Sequence, residues 1–224
     1  MGAIFRREVR SYFTSPIGYI FLAAFYAYSG VMFANYSLES GYTRLDSVFS
    51  ALLIIIIVLI PVLTMRTISE EKRTKTDQCL LTAPVGLGSI VVGKFLAAFL
   101  IYIIAIAITG VFAVVVSAFG TPDWNVVVGN IVALALVGGA YIFCSSFTEN
   151  QIVAAVISFI ALIFVSFLST IGNLLPFEWL TTVCEKVSFG ERYYSFTYGL
   201  FDFSNVVFFL SAIVAFLFLT VRVL

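Results

Sequence analysis

The 224-residue chain contains no histidine, only three cysteines and only 11% charged residues. Ordinary globular chains are about a quarter charged and about half apolar. Here 62% of residues are hydrophobic and 24 are phenylalanine, more apolar surface than a soluble domain of this size could hide. Proton- or ion-coupled carriers usually keep ionisable side chains within the membrane, and intramembrane hydrolases need a nucleophile with a base, or a metal cluster. No acidic or basic residue falls in the middle of any apolar run, so both classes are disfavoured. Serines and threonines in those runs have no charged neighbour to activate them, which leaves helix packing as their ordinary role. Cys79, Cys144 and Cys184 are scattered, so no disulfide framework or metal site is readable.

What is present is a series of long uncharged stretches, 11–38, 47–65, 95–122, 124–148, 150–177 and 203–221. Each holds the roughly 20 apolar residues that a helical crossing requires. The expected fold class is an all-α polytopic membrane protein, one transmembrane domain over 1–224, with spans near 17–36, 47–65, 95–118, 126–147, 152–171 and 204–221. Continuous runs such as ALLIIIIVLI at 51–60 lack the alternation that a barrel strand shows. Six crossings put both termini on one side. Arg6, Arg7, Arg10, Arg66, Lys72, Arg73, Lys75, Lys94 and Arg222 then share that side, against Arg44, Lys186 and Arg192 on the other. Positive charge marks the cytoplasmic face, so both termini are expected there. The first apolar run is too long for a signal peptide's core. The Asn35-Tyr36-Ser37 sequon is an isolated match.

GSIVVGKF at 88–95 spaces Gly88, Gly93 and Lys94 as a nucleotide-binding P-loop does. A working P-loop follows a strand and ends in Ser or Thr to hold Mg²⁺; Phe95 stands there instead. A Pro84/Gly86/Gly88 turn is expected before it, and Ile90, Val91 and Val92 make a poor backbone cradle for phosphate. Lys94 is expected to mark the cytosolic boundary of the third span, its ammonium snorkelling to water.

The 66–94 segment is the one substantial cytosolic piece between spans. Arg66–Arg73 can extend the second helix out of the membrane, with Glu71 and Lys75 at the favourable acid-first spacing. Thr74, Lys75, Thr76 and Asp77 form a weak capping box before Gln78, Cys79, Leu80 and Leu81, and Pro84 ends that short helix. In Ile4–Pro16, Phe5, Val9, Tyr12, Phe13 and Pro16 recur at helical spacing while Arg6, Arg7 and Arg10 take other faces. That pattern predicts an amphipathic interfacial helix before the first span.

Together these stretches resemble the permease subunits of ABC-2 type transporters, particularly the gliding-motility-like group, over nearly the full length. The resemblance rests on Glu8–Tyr19 (EVRSYFTSPIGY), the Glu71–Val85 loop ending LLTAPV, Ile90–Phe95 (IVVGKF) and Gly190–Asp202 (GERYYSFTYGLFD), especially Gly199 and Asp202. It implies that about Thr74–Thr82 is a coupling helix that docks on a separate ATPase subunit. Lys75 stands where the family usually has Gly, and Gln78 where it has an acid, so no salt bridge is carried over to Gln78. The resemblance further implies a two-fold pair of permeases, identical or paralogous, with the second and fifth spans lining the pathway: Pro61 from one, Ser158, Ser166, Ser169 and Thr170 from the other.

The 172–204 segment is too long for a plain connector. Pro176 and Gly190 break it, and Trp179, Tyr193 and Tyr194 suit a membrane interface. Relatives fold it as short helices re-entering the outer leaflet, so an outer gate and an interfacial cap are equal readings. The whole pattern points to a non-enzymatic permease of the bacterial cytoplasmic membrane that binds no cofactor itself. ATP and Mg²⁺ would sit on the partner ATPase, with membrane lipid and an extracytoplasmic auxiliary subunit as further partners and no nucleic acid. Export of an amphipathic or lipid-like cargo is favoured. The alternative is a scaffold that anchors an ATPase or a secretion or motility complex without transport.

Overall fold

In a computed structural model, residues 2–38, 45–74, 86–142, 151–173, 178–199 and 201–223 are described, with the backbone alone at 66–74, 151, 178, 180 and 223. Every element in them is helical: α1 Gly2–Thr14, α2 Pro16–Phe33 with a π-helical turn Ala34–Leu38, α3 Asp46–Thr74, α4 Leu87–Ser117, α5 Trp124–Tyr141, α6 Gln151–Ser166, α7 Leu168–Gly172, α8 Glu178–Val187, α9 Phe189–Thr197 and α10 Phe203–Val223. Five stretches, Pro16–Leu38, Asp46–Met65, Leu87–Ser117, Trp124–Tyr141 and Phe203–Arg222, are long and apolar enough to cross a membrane. The chain is an integral membrane protein.

Helix boundaries follow local chemistry. Pro16 occupies the first turn of α2, where its missing N–H is not needed. Asp123 caps α5 by accepting from the Asn125 amide at 3.2 Å, and Asp202 caps α10 by accepting from Ser204 N at 2.9 Å. Each satisfies an amide that the first turn leaves orphaned. Gly199, at φ +78°, ends α9 in the left-handed conformation that glycine adopts without a Cβ penalty. The two residues singled out in the GERYYSFTYGLFD stretch therefore punctuate the passage from α9 to α10.

Two boundaries differ from the expected ones. The third span begins at Leu87, directly after an extended Gly86. Gly88 and the GK pair therefore lie inside α4, where a turn and a helix mouth were expected. The fifth span, expected unbroken over 152–171, stops at Ser166. Phe167 has φ −102° and ψ 17°, and a five-residue helix follows. A hydroxyl and a glycine from the α9 region occupy the Ser166 carbonyl at that break, as described below. No proline marks it.

Between helices the packing uses small residues and tyrosines. Ala97, Ala98, Ala105, Ala113, Ala133 and Ala140 are all fully buried, letting backbones approach where lipid offers no hydrophobic drive to associate. Tyr102 lies over Gly138: a Cβ there would fall 2.1 Å from the tyrosine ring, and the phenol donates to Leu134 O at 2.7 Å. Tyr26 donates to Ile104 O at 2.9 Å, Tyr28 to Ala51 O at 3.3 Å and Tyr193 to Phe49 O at 2.7 Å. Each ring fills apolar space while its hydroxyl finds a backbone acceptor, as a buried tyrosine requires. Tyrosines thus pin α2 to α4 and α3, α4 to α5, and α9 to α3.

Candidate functional site

Two ends of the bundle collect the polar side chains. They are separated along α3 by the distance from Phe49 to Leu63, about 21 Å at 1.5 Å per residue.

At the Leu63 end, α1 lies across α4. The apolar stripe expected on this helix is there, and protein covers part of it: Tyr12 is in the core, and Phe5 and Val9 pack against that core. Arg6, Arg7 and Arg10 are exposed, as is Phe13. Gly93 lets α1 approach closely; a Cβ there would sit 3.2 Å from Ile4 Cγ2 and 3.6 Å from Phe5 N. One residue on, Lys94 does not snorkel. It is 4% exposed, with its Nζ 3.4 Å from Glu8 Oε1. Arg7 Nη2 lies 2.6 Å from the same carboxylate oxygen. Lysine alone in an apolar run would be drawn to water, but a carboxylate brought by α1 compensates it in place. The GSIVVGK segment is therefore two helical turns with its lysine engaged by a carboxylate, which is not the geometry of a phosphate cradle. The pairing of Glu8 with Lys94 was not legible, because the 86 residues that separate them carry no periodic signal.

Tyr12 extends the same junction to α3, donating to Leu63 O at 3.3 Å. Its own helix turns sharply into α2 at Ser15. A Cβ on Gly18 would meet Tyr12 O at 2.6 Å, so the elbow admits no larger side chain there. The expected continuation of the second span through Arg66–Arg73 is present, since α3 runs unbroken to Thr74. Glu71 and Thr74 lie on its last turns. Lys75, Thr76, Asp77, Gln78, Leu80, Leu81 and Pro84 lie outside the described residues.

At the Phe49 end, α9 is set into the bundle. Ser166 O accepts from Ser188 Oγ at 3.3 Å, and a Cβ on Gly190 would lie 2.4 Å from that carbonyl oxygen. Ser166 Oγ shares a 2.6 Å hydrogen bond with Tyr141 OH, and Ser169 Oγ donates to Glu191 Oε1 at 3.0 Å. On the α5 side, Asn130 is fully buried. It donates to Val126 O at 2.8 Å and to Phe196 O at 3.3 Å, and accepts from Thr197 Oγ1 at 3.2 Å. Arg192 joins three helices: Nε and Nη2 donate to Lys186 O at 2.9 and 2.7 Å, and Nη1 donates to Asn205 Oδ1 at 2.8 Å. Its guanidinium also lies 4.0 Å from the centroid of Phe208. Burial, and secondarily Tyr194, pushes the Tyr193 phenol well above its ordinary value, so it remains the donor to Phe49 O at physiological pH.

The residues expected to form a pathway or a gate take several different places in the structure. Ser158, Ser166 and Ser169 are buried within this one chain; Ser158 donates to Ala154 O at 2.6 Å. Pro61 is buried inside α3, and Thr170 is exposed. Of the three aromatics grouped as an outer gate, Tyr193 is in the core, Tyr194 is half-exposed and Trp179 is 68% exposed. A cleft of about 330 Å³ opens at this end, lined by Asp46, Thr121, Asp123, Val126, Thr197 and Tyr198 among others. Sequence reasoning passed over Asn130, Tyr141, Ser188 and Arg192. A lone asparagine or serine in an apolar run has no pattern of its own, although Arg192 sat inside a stretch already singled out.

Among curated proteins none matches the chain. The family model described as "ABC-2 family transporter protein" matches residues 4–224, which takes in most of α1, the long helices, the segment between α3 and α4, and helices α7–α9. The chain belongs to the ABC-2 family of transporter proteins.

Proposed function

We propose that this chain is the membrane-spanning, non-catalytic permease subunit of an ATP-driven exporter of the bacterial cytoplasmic membrane. The family match across 4–224 is the observation that carries this reading. The Lys94–Glu8 pair supports it by leaving the one P-loop-like stretch in a helix that contacts α1. A separate ABC ATPase supplies ATP and Mg²⁺ chemistry and docks on about Thr74–Thr82, on the side of both termini. Two copies of the chain, or this chain and a paralogue, enclose the pathway. Because Ser158, Ser166 and Ser169 face this chain's own core, the surface offered to a second copy is apolar. On α6 it includes Val156, Ile157, Ile160 and Phe164, and on α3 Ile54 and Val58, all exposed. An apolar lining of that kind fits an amphipathic or lipid-like cargo.

The test is replacement of Leu80 and Leu81 by Asp, with co-purification of the ATPase and membrane expression of the chain both measured. Burying each leucine in a groove contributes roughly 1.5–3 kcal/mol by transfer estimates, of which binding recovers only part. The expected outcome is normal membrane insertion with loss of the ATPase. Wild-type retention of the ATPase would place the docking surface elsewhere. Retention of docking with no cargo movement in the wild-type complex would favour a scaffold.

A further inference from the structure

Helix α1 is fastened to both α3 and α4, the two helices that residues 75–85 join in sequence. Tyr12 donates to Leu63 O in α3. Glu8 pairs with Lys94 in α4, at a site where Gly93 brings the two backbones together. Lys94 follows Leu87, the first residue of α4, by two turns, about 10.5 Å of helix. Through the tight Ser15–Gly18 elbow, α1 continues into α2, which packs on α3 and α4.

A buried ion pair is a costly way to hold two helices. Apolar residues of equal volume are often as stable or more so, and Glu8 already has Arg7 of its own helix at 2.6 Å. What the pair adds is register. The carboxylate of Glu8 meets the ammonium of Lys94 in one relative placement of α1 and α4, while an apolar contact could slide. Neither group is drawn into cargo binding or nucleotide chemistry above.

We propose that α1 is a yoke, and that Glu8 and Lys94 are the positioning residues that lock it to the base of α4, so that α1, α4 and the adjoining turn of α3 move as one body when the partner ATPase acts on the permease. The proposal rests on the permease reading for its consequence, but the lock itself is a property of this chain alone. Its function is transmission, distinct from docking: the ATPase would still bind a chain whose yoke is unlocked.

The experiment separates the two. In a chain with Cys79, Cys144 and Cys184 replaced by Ser and Val9→Cys as reporter, the rate of maleimide labelling in membrane vesicles reads how often α1 lifts from α4. Lys94→Met leaves Glu8 held by Arg7 of its own helix and takes away its tie to α4, and should raise that rate about tenfold, the equivalent of about 1.4 kcal/mol. Lys94→Arg should stay near wild type, and the exchange Glu8→Lys with Lys94→Glu should recover most of the protection. In the complete transporter, Lys94→Met should retain the ATPase on co-purification and lose the coupling of ATP hydrolysis to the permease, measured as the difference in ATPase rate between the bound and the free ATPase. Unchanged labelling in Lys94→Met would overturn the lock. Loss of ATPase co-purification with Lys94→Met would overturn transmission, making the pair part of the docking surface. Should Leu80/Leu81→Asp keep its ATPase while the labelling results hold, the docking assignment fails and the lock stands.

Discussion

Helices α8 and α9 are neighbours in the same 172–204 segment, yet they are held in opposite ways. Helix α9 places Phe189, Tyr193, Phe196 and Thr197 in the core and packs on α3, α5, α6 and α7. Helix α8 packs chiefly on α7 and turns Trp179, Val183 and Val187 outward, spaced four residues apart on one face. Among the described residues, Thr181 donates to Gly172 O at 3.2 Å, Cys184 packs on Gly172, and Arg192 reaches back to Lys186 O. The lesson is that aromatic content alone does not mark a gate. An element with its polar groups satisfied by several helices is a fixed part of the bundle, and an element fastened mainly to a five-residue helix is the one with freedom to move. If this end opens for cargo, α8 is the part that swings, and α9 is the wall it swings against.

The contrast should break first at Tyr193. Removing a fully buried aromatic side chain costs about 3–5 kcal/mol, so Tyr193→Ala should sharply lower the unfolding temperature in detergent, detach α9 and expose its backbone to hydrogen exchange. Tyr193→Phe keeps the packing and loses one hydrogen bond to Phe49 O, a cost of about 1 kcal/mol. Equal losses for the two variants would mean that the hydroxyl, and not the ring, fixes α9.

Arg192→Ala comes next. The guanidinium donates to Lys186 O and Asn205 Oδ1, and hydrogen bonds from a charged donor contribute about 1.5–3 kcal/mol. Because this side chain links α8 to α9 and α10, its loss should free α8 far more than α9. Hydrogen exchange should accelerate over 178–187 and stay nearly constant over 189–197. Acceleration of both equally would erase the proposed difference between hinge and wall.

Gly190→Ala probes the break in the fifth span. The added methyl would press on the Ser166 carbonyl oxygen, a backbone atom, at 2.4 Å. Overpacking of that kind costs about 1–3 kcal/mol, and here it would be relieved by withdrawing α9 from Ser166. The readout is thiol labelling of a Ser188→Cys reporter, which should rise from a fully protected baseline.

How far the fold and the site could be read from the sequence depended on the kind of signal each feature leaves. Spans announce themselves because about 20 consecutive apolar residues without charge seldom occur except in a membrane crossing, and five of the six stretches became helices of crossing length. The amphipathic stripe of α1 was visible because Phe5, Val9 and Tyr12 recur with the helical period. What covers that face was not, since periodicity marks a face as apolar and says nothing of whether lipid or α4 lies against it. The fifth span's break left no mark because the groups that lie against it, Ser188 and Gly190, are more than 20 residues along the chain. Lys94 departs from expectation for a related reason: a lysine at the edge of an apolar run snorkels by default, and only the tertiary approach of Glu8 changes that.

The smallest effect sharpens the comparison most, because it asks for a change in behaviour without a change in stability. Trp179 is 68% exposed, so Trp179→Ala should alter unfolding by no more than about 0.5 kcal/mol. An exposed indole on an amphipathic helix at the end of a membrane bundle is, however, the side chain that sits at the headgroup level. Its removal should make α8 easier to lift from the bilayer. In vesicles, a lipid-soluble quencher should dim Trp179 fluorescence strongly in a chain whose other tryptophan, Trp124, is replaced by Phe. With Trp179→Ala, labelling of Cys184, which packs on Gly172, should quicken while Tyr193 and its hydrogen-bonded neighbours stay protected. An unquenched Trp179 would mean that α8 stands clear of the membrane, and its outward stripe would then have to be covered by protein.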